Sequence, residues 1–212
     1  NAWGNPYSCP MAGAKIVFPG NKMGDGQTIC TLMNEEKVTL SAGVPTVWLA
    51  MLAHLKATGK RVDTLKRIVV GGAACPLSIM EEFDRYGVEA RVGWGMTEMS
   101  PLGTVNASMS ERENYSEQAF AKVRVKAGRP IFGVDLKIVD DACEELPWDG
   151  VSFGSLMVRG PWVCSSYFNV DSSDAHSKVP GWFETGDVAT IDADGYMAIT
   201  DRTKDVIKSG GE

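Results

Sequence analysis

Histidine is almost missing from this chain of 212 residues, with only His54 and His176 present. The five cysteines, Cys9, Cys30, Cys75, Cys143 and Cys164, are scattered, odd in number and form no Cys-x-x-Cys pair. A zinc site and a disulfide framework both lack ligands at workable spacing. Each cysteine reads first as a small apolar residue in a reducing, cytoplasmic setting. Positive charge is also in deficit: 21 Lys and Arg against 27 Asp and Glu leave a net charge of −6. Phosphate-backbone binding needs concentrated Lys and Arg, so a nucleic-acid surface is excluded. No apolar run is long enough to form a transmembrane segment, and no internal repeat or low-complexity tract is visible. What remains, 44% hydrophobic and 23% charged residues, is the composition of a globular chain with one large or two small cores.

Residues 14–92 alternate short apolar runs with helical stretches. Strands are expected at 15–18, 38–42, 67–70 and 88–93. Asp25 is placed to cap a helix with Ile29, Leu32 and Met33 on one face. In residues 44–57, Val47, Trp48, Met51, Leu52 and Leu55 recur at helical spacing, and Gly59 ends the run. Pro76 suits the first turn of a third helix. Strands alternating with helices of this length imply βαβ units and a parallel sheet with helices on both faces. The pattern changes at Gly128-Arg129-Pro130. Beyond it, β-type runs at 134–139, 155–158, 188–191 and 196–200 are broken by Asp149-Gly150, Gly160-Pro161, Pro180-Gly181 and Asp194-Gly195, all turn chemistry. The expected fold is therefore α/β over 1–127, a smaller antiparallel β subdomain over 128–200, and a last segment from 201. The polar stretch 108–126 reads as a surface connection, and His54 as a solvated residue on the polar side of its helix.

Three segments carry chemistry. In open parallel sheets, ligands bind beyond the carboxyl ends of the strands. Two such ends here are glycine-rich: Gly71-Gly72-Ala73-Ala74 and Gly93-Trp94-Gly95-Met96. Glycine admits a flat ring close to the backbone and Trp94 offers a surface to stack on it, although tight turns and a core Trp would use the same residues. Thr97-Glu98 follows. A hydroxyl at a helix start suits a phosphate oxygen, and the adjacent carboxylate suits a Mg²⁺ shared with that phosphate; the alternative is a plain Thr N-cap. The second segment, Trp182-Phe183-Glu184-Thr185-Gly186-Asp187, ends in a Gly-Asp turn whose carboxylate can hold two vicinal hydroxyls. The third runs from Asp201-Arg202 to Lys208-Ser209-Gly210-Gly211.

In this order the three segments resemble the adenylate-forming enzymes, specifically the acyl-CoA synthetases that join a carboxylic acid to coenzyme A at the expense of ATP. The resemblance implies that Trp94 stacks on adenine, with Trp in place of the more usual Tyr. It further implies that Thr97 contacts the α-phosphate, Glu98 helps bind Mg²⁺, and Asp187 and Arg202 hold the ribose. Asp201 matches the hinge of the C-terminal domain, and Lys208, Ser209, Gly210 and Gly211 match the segment that helps form the coenzyme A site. Asn1-Ala2-Trp3-Gly4 and Val44-Pro45-Thr46 are similar to the medium- and long-chain fatty-acyl and 3-methylmercaptopropionate branch, in which Trp3 and Val44-Pro45-Thr46 would line the acyl tunnel. The chain opens without Met and stops inside the third motif, as expected of an internal piece whose phosphate loop and catalytic Lys lie elsewhere. A homodimer is compatible with the resemblance. A non-catalytic adenylate-binding module, and adenylation with a carrier-protein thiol or oxygen as acceptor, stay open at this level.

Overall fold

The computed structural model describes residues 2–169 and 179–202. They form two compact units, one of residues 2–93 and 107–125, the other of residues 94–106 and 126–202.

The first unit opens with a short turn at Ala2–Gly4 and helix α1 (Asn5–Met11), neither of which the sequence signalled. Residues 14–19, expected to contain a strand, pair with no neighbour among the described residues. A β ladder exists only where a second backbone supplies its bonds. Asp25 caps α2 (Gly26–Glu35), its carboxylate accepting from the Thr28 N–H at 2.9 Å. Strand β1 (Leu40–Gly43) leads into α3 (Pro45–Thr58), which Gly59 closes in the left-handed conformation at φ 68°. The run expected to be a buried strand is thus only half-buried, and Leu40 is exposed. After α3 come β2 (Arg67–Val70), α4 (Leu77–Arg85) and β3 (Glu89–Gly95), whose last two residues pass into the other unit. β1, β2 and β3 pair in parallel, Ser41 beside Ile68 and Ile68 beside Ala90.

Trp48, Met51, Leu55, Ile68, Met80 and Phe83 form the core of this unit, with the Trp48 and Phe83 rings edge to face at 6.0 Å. Cys30 and Cys75 lie in it, and burial pushes both thiols up to about 11, so they act as apolar filler. His54 is half-buried rather than solvated, and its Nε2 is buried without a hydrogen-bond partner among the described residues.

The stretch 108–126 lies at the surface over 108–118, as expected, but is helical and packed in its second half. It forms a 3-10 helix at Met109–Asn114 and helix α5 (Glu117–Arg124), which buries Phe120, Val123 and Arg124. Arg124 makes a two-pronged ion pair with Asp84 of α4, at 2.7 and 3.0 Å. Glu89 of β3 holds the 3-10 helix through the Met109 N–H at 2.9 Å and the Ser108 hydroxyl at 3.1 Å. Charged residues made this stretch look solvated, whereas the Arg124 charge is spent on a partner 40 residues away in the chain.

The second unit is antiparallel. β4 (Leu102–Val105) pairs with β5 (Arg129–Pro130). A four-stranded sheet follows in the order β6 (Asp135–Val139), β7 (Phe153–Arg159), β8 (Phe183–Ile191) and β9 (Met197–Arg202). Its inner face carries Leu136, Ile138, Leu156, Val158, Ala189, Ile191 and Met197, joined by Met99. The expected sequence of a parallel α/β part and a smaller antiparallel β part is the architecture observed.

Candidate functional site

In the first unit the parallel strands bring their carboxyl ends to one edge. There β1 ends at Gly43 and gives way to Val44, Pro45 and Thr46; Val44 is the N-cap of α3 and Pro45 its first residue. β2 ends at Val70, and Gly72, Ala73 and Ala74 follow as an exposed loop, with Gly72 at φ 78°. The ring of Trp3 lies against Gly71: a Cβ built there would sit 3.4 Å from Trp3 Cη2. Trp3 holds a left-handed backbone, φ 53°, which a bulky residue rarely adopts. Trp3, Val44, Pro45, Thr46, Gly72, Ala73 and Ala74 therefore belong to a single unit, at the end of the sheet where ligands usually bind.

In the second unit the first two motifs meet. The indole of Trp94 donates from Nε1 to Asp187 Oδ2 at 2.9 Å, across a sequence separation of 93. Trp94 is half-buried and packs on the core of this unit, with its six-membered ring over Gly103. A Cβ at Gly103 would lie 2.7 Å from Trp94 Cζ3 and 2.6 Å from Met99 Cε. Gly95 has its own reason to be glycine, since a Cβ there would fall 1.8 Å from the Pro101 carbonyl oxygen. Met96 packs partly on the same core.

Asp187 does not sit in a turn. It lies within β8, where Leu156 of β7 alone faces Thr185, Gly186 and Asp187, because the register passes from Ser155–Val188 to Met157–Glu184. Gly186, at φ 75°, supplies the left-handed residue that this bulge needs. The Thr185 hydroxyl donates to the Leu156 carbonyl at 3.0 Å and accepts from the Asp187 N–H at 3.1 Å. The carboxylate-bearing residue is thereby anchored and only 5% exposed. Arg202 is the register partner of Asp187 on β9, and Asp201 is that of Val188. Their side chains, and all of Lys208, Ser209, Gly210 and Gly211, lie outside the described residues.

Thr97 and Glu98 occupy a three-residue 3-10 turn, Thr97–Met99, rather than the start of an α-helix. One turn lacks the aligned peptide dipoles that would draw an anion, so the helix-terminus argument for Thr97 does not hold. The plain-cap alternative also fails, because Met96 is the N-cap and makes no side-chain cap. Thr97 is exposed. Glu98 is half-buried and tied on two sides. Its backbone carbonyl accepts from the Cys164 N–H at 2.7 Å, and its Oε1 accepts from the Tyr167 hydroxyl at 2.9 Å. Burial, helped by the Glu98 carboxylate, pushes the Tyr167 hydroxyl up to about 12, so it stays protonated as a donor. Sequence reasoning missed Tyr167. Nothing in its neighbourhood marks it, and only the folding of 164–167 against the first motif reveals it.

A profile of the family described as AMP-binding enzyme matches residues 1–168. The chain is 51% identical over its whole length to a 3-methylmercaptopropionyl-CoA ligase of Ruegeria lacuscaerulensis, of which it covers 39%. It is 50% identical, again over its whole length, to a medium-chain-fatty-acid–CoA ligase of Ectopseudomonas oleovorans, of which it covers 38%. The chain thus spans about two fifths of the length of these relatives. Among solved structures it is similar to an o-succinylbenzoate coenzyme A synthetase from Bacillus subtilis in complex with ATP and a magnesium ion. That likeness has a TM-score of 0.69 and 28% identity, over 89% of this chain and 36% of that one.

Proposed function

The chain belongs to the AMP-binding enzyme family, and from that premise we propose that it is the adenylate-binding part of an ATP-dependent carboxylic acid–CoA ligase. The reaction joins a carboxylate oxygen to the α-phosphorus of ATP as pyrophosphate leaves. The thiol of coenzyme A then attacks the acyl-adenylate carbonyl and AMP departs. The observation that carries this reading is the Trp94–Asp187 contact, which joins two motifs 93 residues apart into one patch. The register partnership of Asp187 with Arg202 adds the backbone of the third motif to it.

In this reading the indole of Trp94 stacks on adenine. Asp187 accepts hydrogen bonds from the ribose hydroxyls, which suits a carboxylate held in place by its own strand. Arg202 reaches the same sugar, and the Thr97 hydroxyl donates to the α-phosphate. Gly72, Ala73 and Ala74 are proposed as nucleotide-binding residues of the first unit, and Gly95 and Met96 as those of the second. Catalysis of the first step is positioning and charge neutralisation.

Mg²⁺ fits one donor here. No cluster of three or more His, Cys, Asp or Glu capable of holding a metal occurs among the described residues. A magnesium ion that arrives with ATP needs only one or two protein carboxylates beside phosphate oxygens and water. Glu98 is that carboxylate, and Mg²⁺ would supply charge neutralisation at the phosphates. Tyr167 keeps Glu98 in one orientation through its hydroxyl.

Trp3, Val44, Pro45 and Thr46 are proposed to line the acyl tunnel, Asp201 to serve as the hinge, and Lys208 to Gly211 to contribute to the coenzyme A site. The two relatives named above support a fatty acid or 3-methylmercaptopropionate as the acid. The test uses the intact protein and a panel of acids: octanoate, palmitate, 3-methylmercaptopropionate and acetate. AMP and pyrophosphate should form only when an acid is supplied. Release of ADP and phosphate would refute the adenylation reading, and no turnover with any acid chain would refute the substrate class.

A further inference from the structure

We propose that Trp94 is a positioning residue for the sugar, its indole N–H holding the Asp187 carboxylate in the orientation that receives the ribose hydroxyls. This rests on the ribose role given to Asp187 above and goes beyond the stacking role given to Trp94. The contact has ordinary hydrogen-bond length, 2.9 Å, and Asp187 is 5% exposed, so little water competes for the same oxygen.

Two features make the indole a fixed donor rather than an incidental one. Trp94 sits in a notch that exists only because residue 103 is glycine: a Cβ there would lie 2.7 Å from Cζ3 and 2.9 Å from Cε3. Met99, fully buried, closes the same notch. The direction of the N–H is therefore set by packing. The indole nitrogen is also a donor only, whereas a hydroxyl can turn and accept. It occupies one lone-pair position on Oδ2 and never competes with the carboxylate for a ribose proton.

The backbone explains why such a tether is useful. Asp187 follows Gly186, at φ 75°, in a bulge where three residues face one. A bulge re-aims a side chain, and the Thr185 hydroxyl and the β9 pairing steady only the Asp187 backbone. The indole supplies one fixed point at the far end of the side chain. Base plate and sugar clamp then form one rigid unit, and preference for a 2′-hydroxyl depends on Trp94 as much as on Asp187.

The experiment is calorimetry on the intact protein with AMP, 2′-deoxy-AMP and adenine. The informative variant replaces Trp94 with 3-benzothienylalanine, which keeps the shape of the ring and exchanges the N–H for sulfur. Trp94→Phe, Asp187→Ala and the Trp94→Phe/Asp187→Ala pair accompany it. The expected result is unchanged adenine binding by the benzothienyl variant, AMP binding weakened about tenfold, and an AMP to 2′-deoxy-AMP ratio reduced toward that of Asp187→Ala. The paired variant should lose no more discrimination than Asp187→Ala alone. A wild-type ratio in the benzothienyl variant, with discrimination lost in Asp187→Ala, would overturn the proposal and leave the ribose site standing. An equal loss for all three ligands would assign Trp94 to stacking alone, which also overturns it. An unchanged ratio in Asp187→Ala would remove the ribose role itself, and the proposal with it.

Discussion

Asp84→Ala should be among the most destabilising single changes outside the hydrophobic core. It strips a guanidinium that is only 5% exposed of a carboxylate that holds it at 2.7 and 3.0 Å. Breaking a buried pair by removing one partner costs about 3–5 kcal/mol. The Asp84 side chain is 30% exposed, so water can reach the vacated space and the lower end of that range, about 3 kcal/mol, applies. Arg124→Met is the control. It removes the buried charge, keeps an apolar stem near Phe120, and leaves a carboxylate that water already reaches. It gives up the Arg124–Phe120 contact at 5.7 Å, and the total should be about 1–2 kcal/mol. The measurement is urea unfolding of the intact protein and each variant, read as a change in midpoint at constant slope. With a slope of about 1–3 kcal/mol per molar urea, Asp84→Ala should lower the midpoint by roughly 1–3 M. If Asp84→Ala costs no more than Arg124→Met, the pair is a surface contact and the account of α5 as a packed helix is wrong.

Glu89→Gln tests a second anchor of the same region. Burial alone would raise the Glu89 carboxyl, but the bonds from Met109, Arg67 and Ser108 outweigh it and hold it below the usual glutamate range. The folded value is the lower one, so these bonds contribute stability above the ordinary glutamate pKa of about 4.3 and lose it as pH falls through the folded value. The variant should melt below the wild type at pH 7, and the gap should close as the pH falls below the ordinary glutamate range; a gap independent of pH would refute the assignment. Gly103→Ala should cost about 1–3 kcal/mol by overpacking and weaken AMP binding, because the new methyl displaces Trp94. Unchanged binding by a folded Gly103→Ala protein would show that the notch does not position the indole. Glu98→Gln should raise the Mg²⁺ concentration needed for half-maximal adenylation while shifting stability by no more than about 1 kcal/mol. An unchanged Mg²⁺ titration would return Glu98 to a purely structural role as the partner of Tyr167.

What could be read without coordinates was whatever neighbouring residues decide among themselves. The cap at Asp25, the apolar stripe of α3 and its stop at Gly59 act within a turn or two of chain, and all are found where the spacing puts them. The change from helices and parallel strands to antiparallel strands was legible for the same reason, because turn residues and side-chain periods are local. The failures share a cause as well. Residues 15–18 have strand composition, but a strand needs a second backbone. The burial of Phe120, Val123 and Arg124 was not legible because it depends on residues distant in the chain, such as Asp84, 40 residues before Arg124. Gly186-Asp187 reads as a turn in isolation and becomes a bulge only when Leu156 lies opposite. The motifs announced which residue types serve a nucleotide. That Trp94 donates to Asp187, and that Tyr167 holds Glu98, was decided by tertiary structure, because a hydrogen bond forms only where folding brings donor and acceptor within about 3 Å.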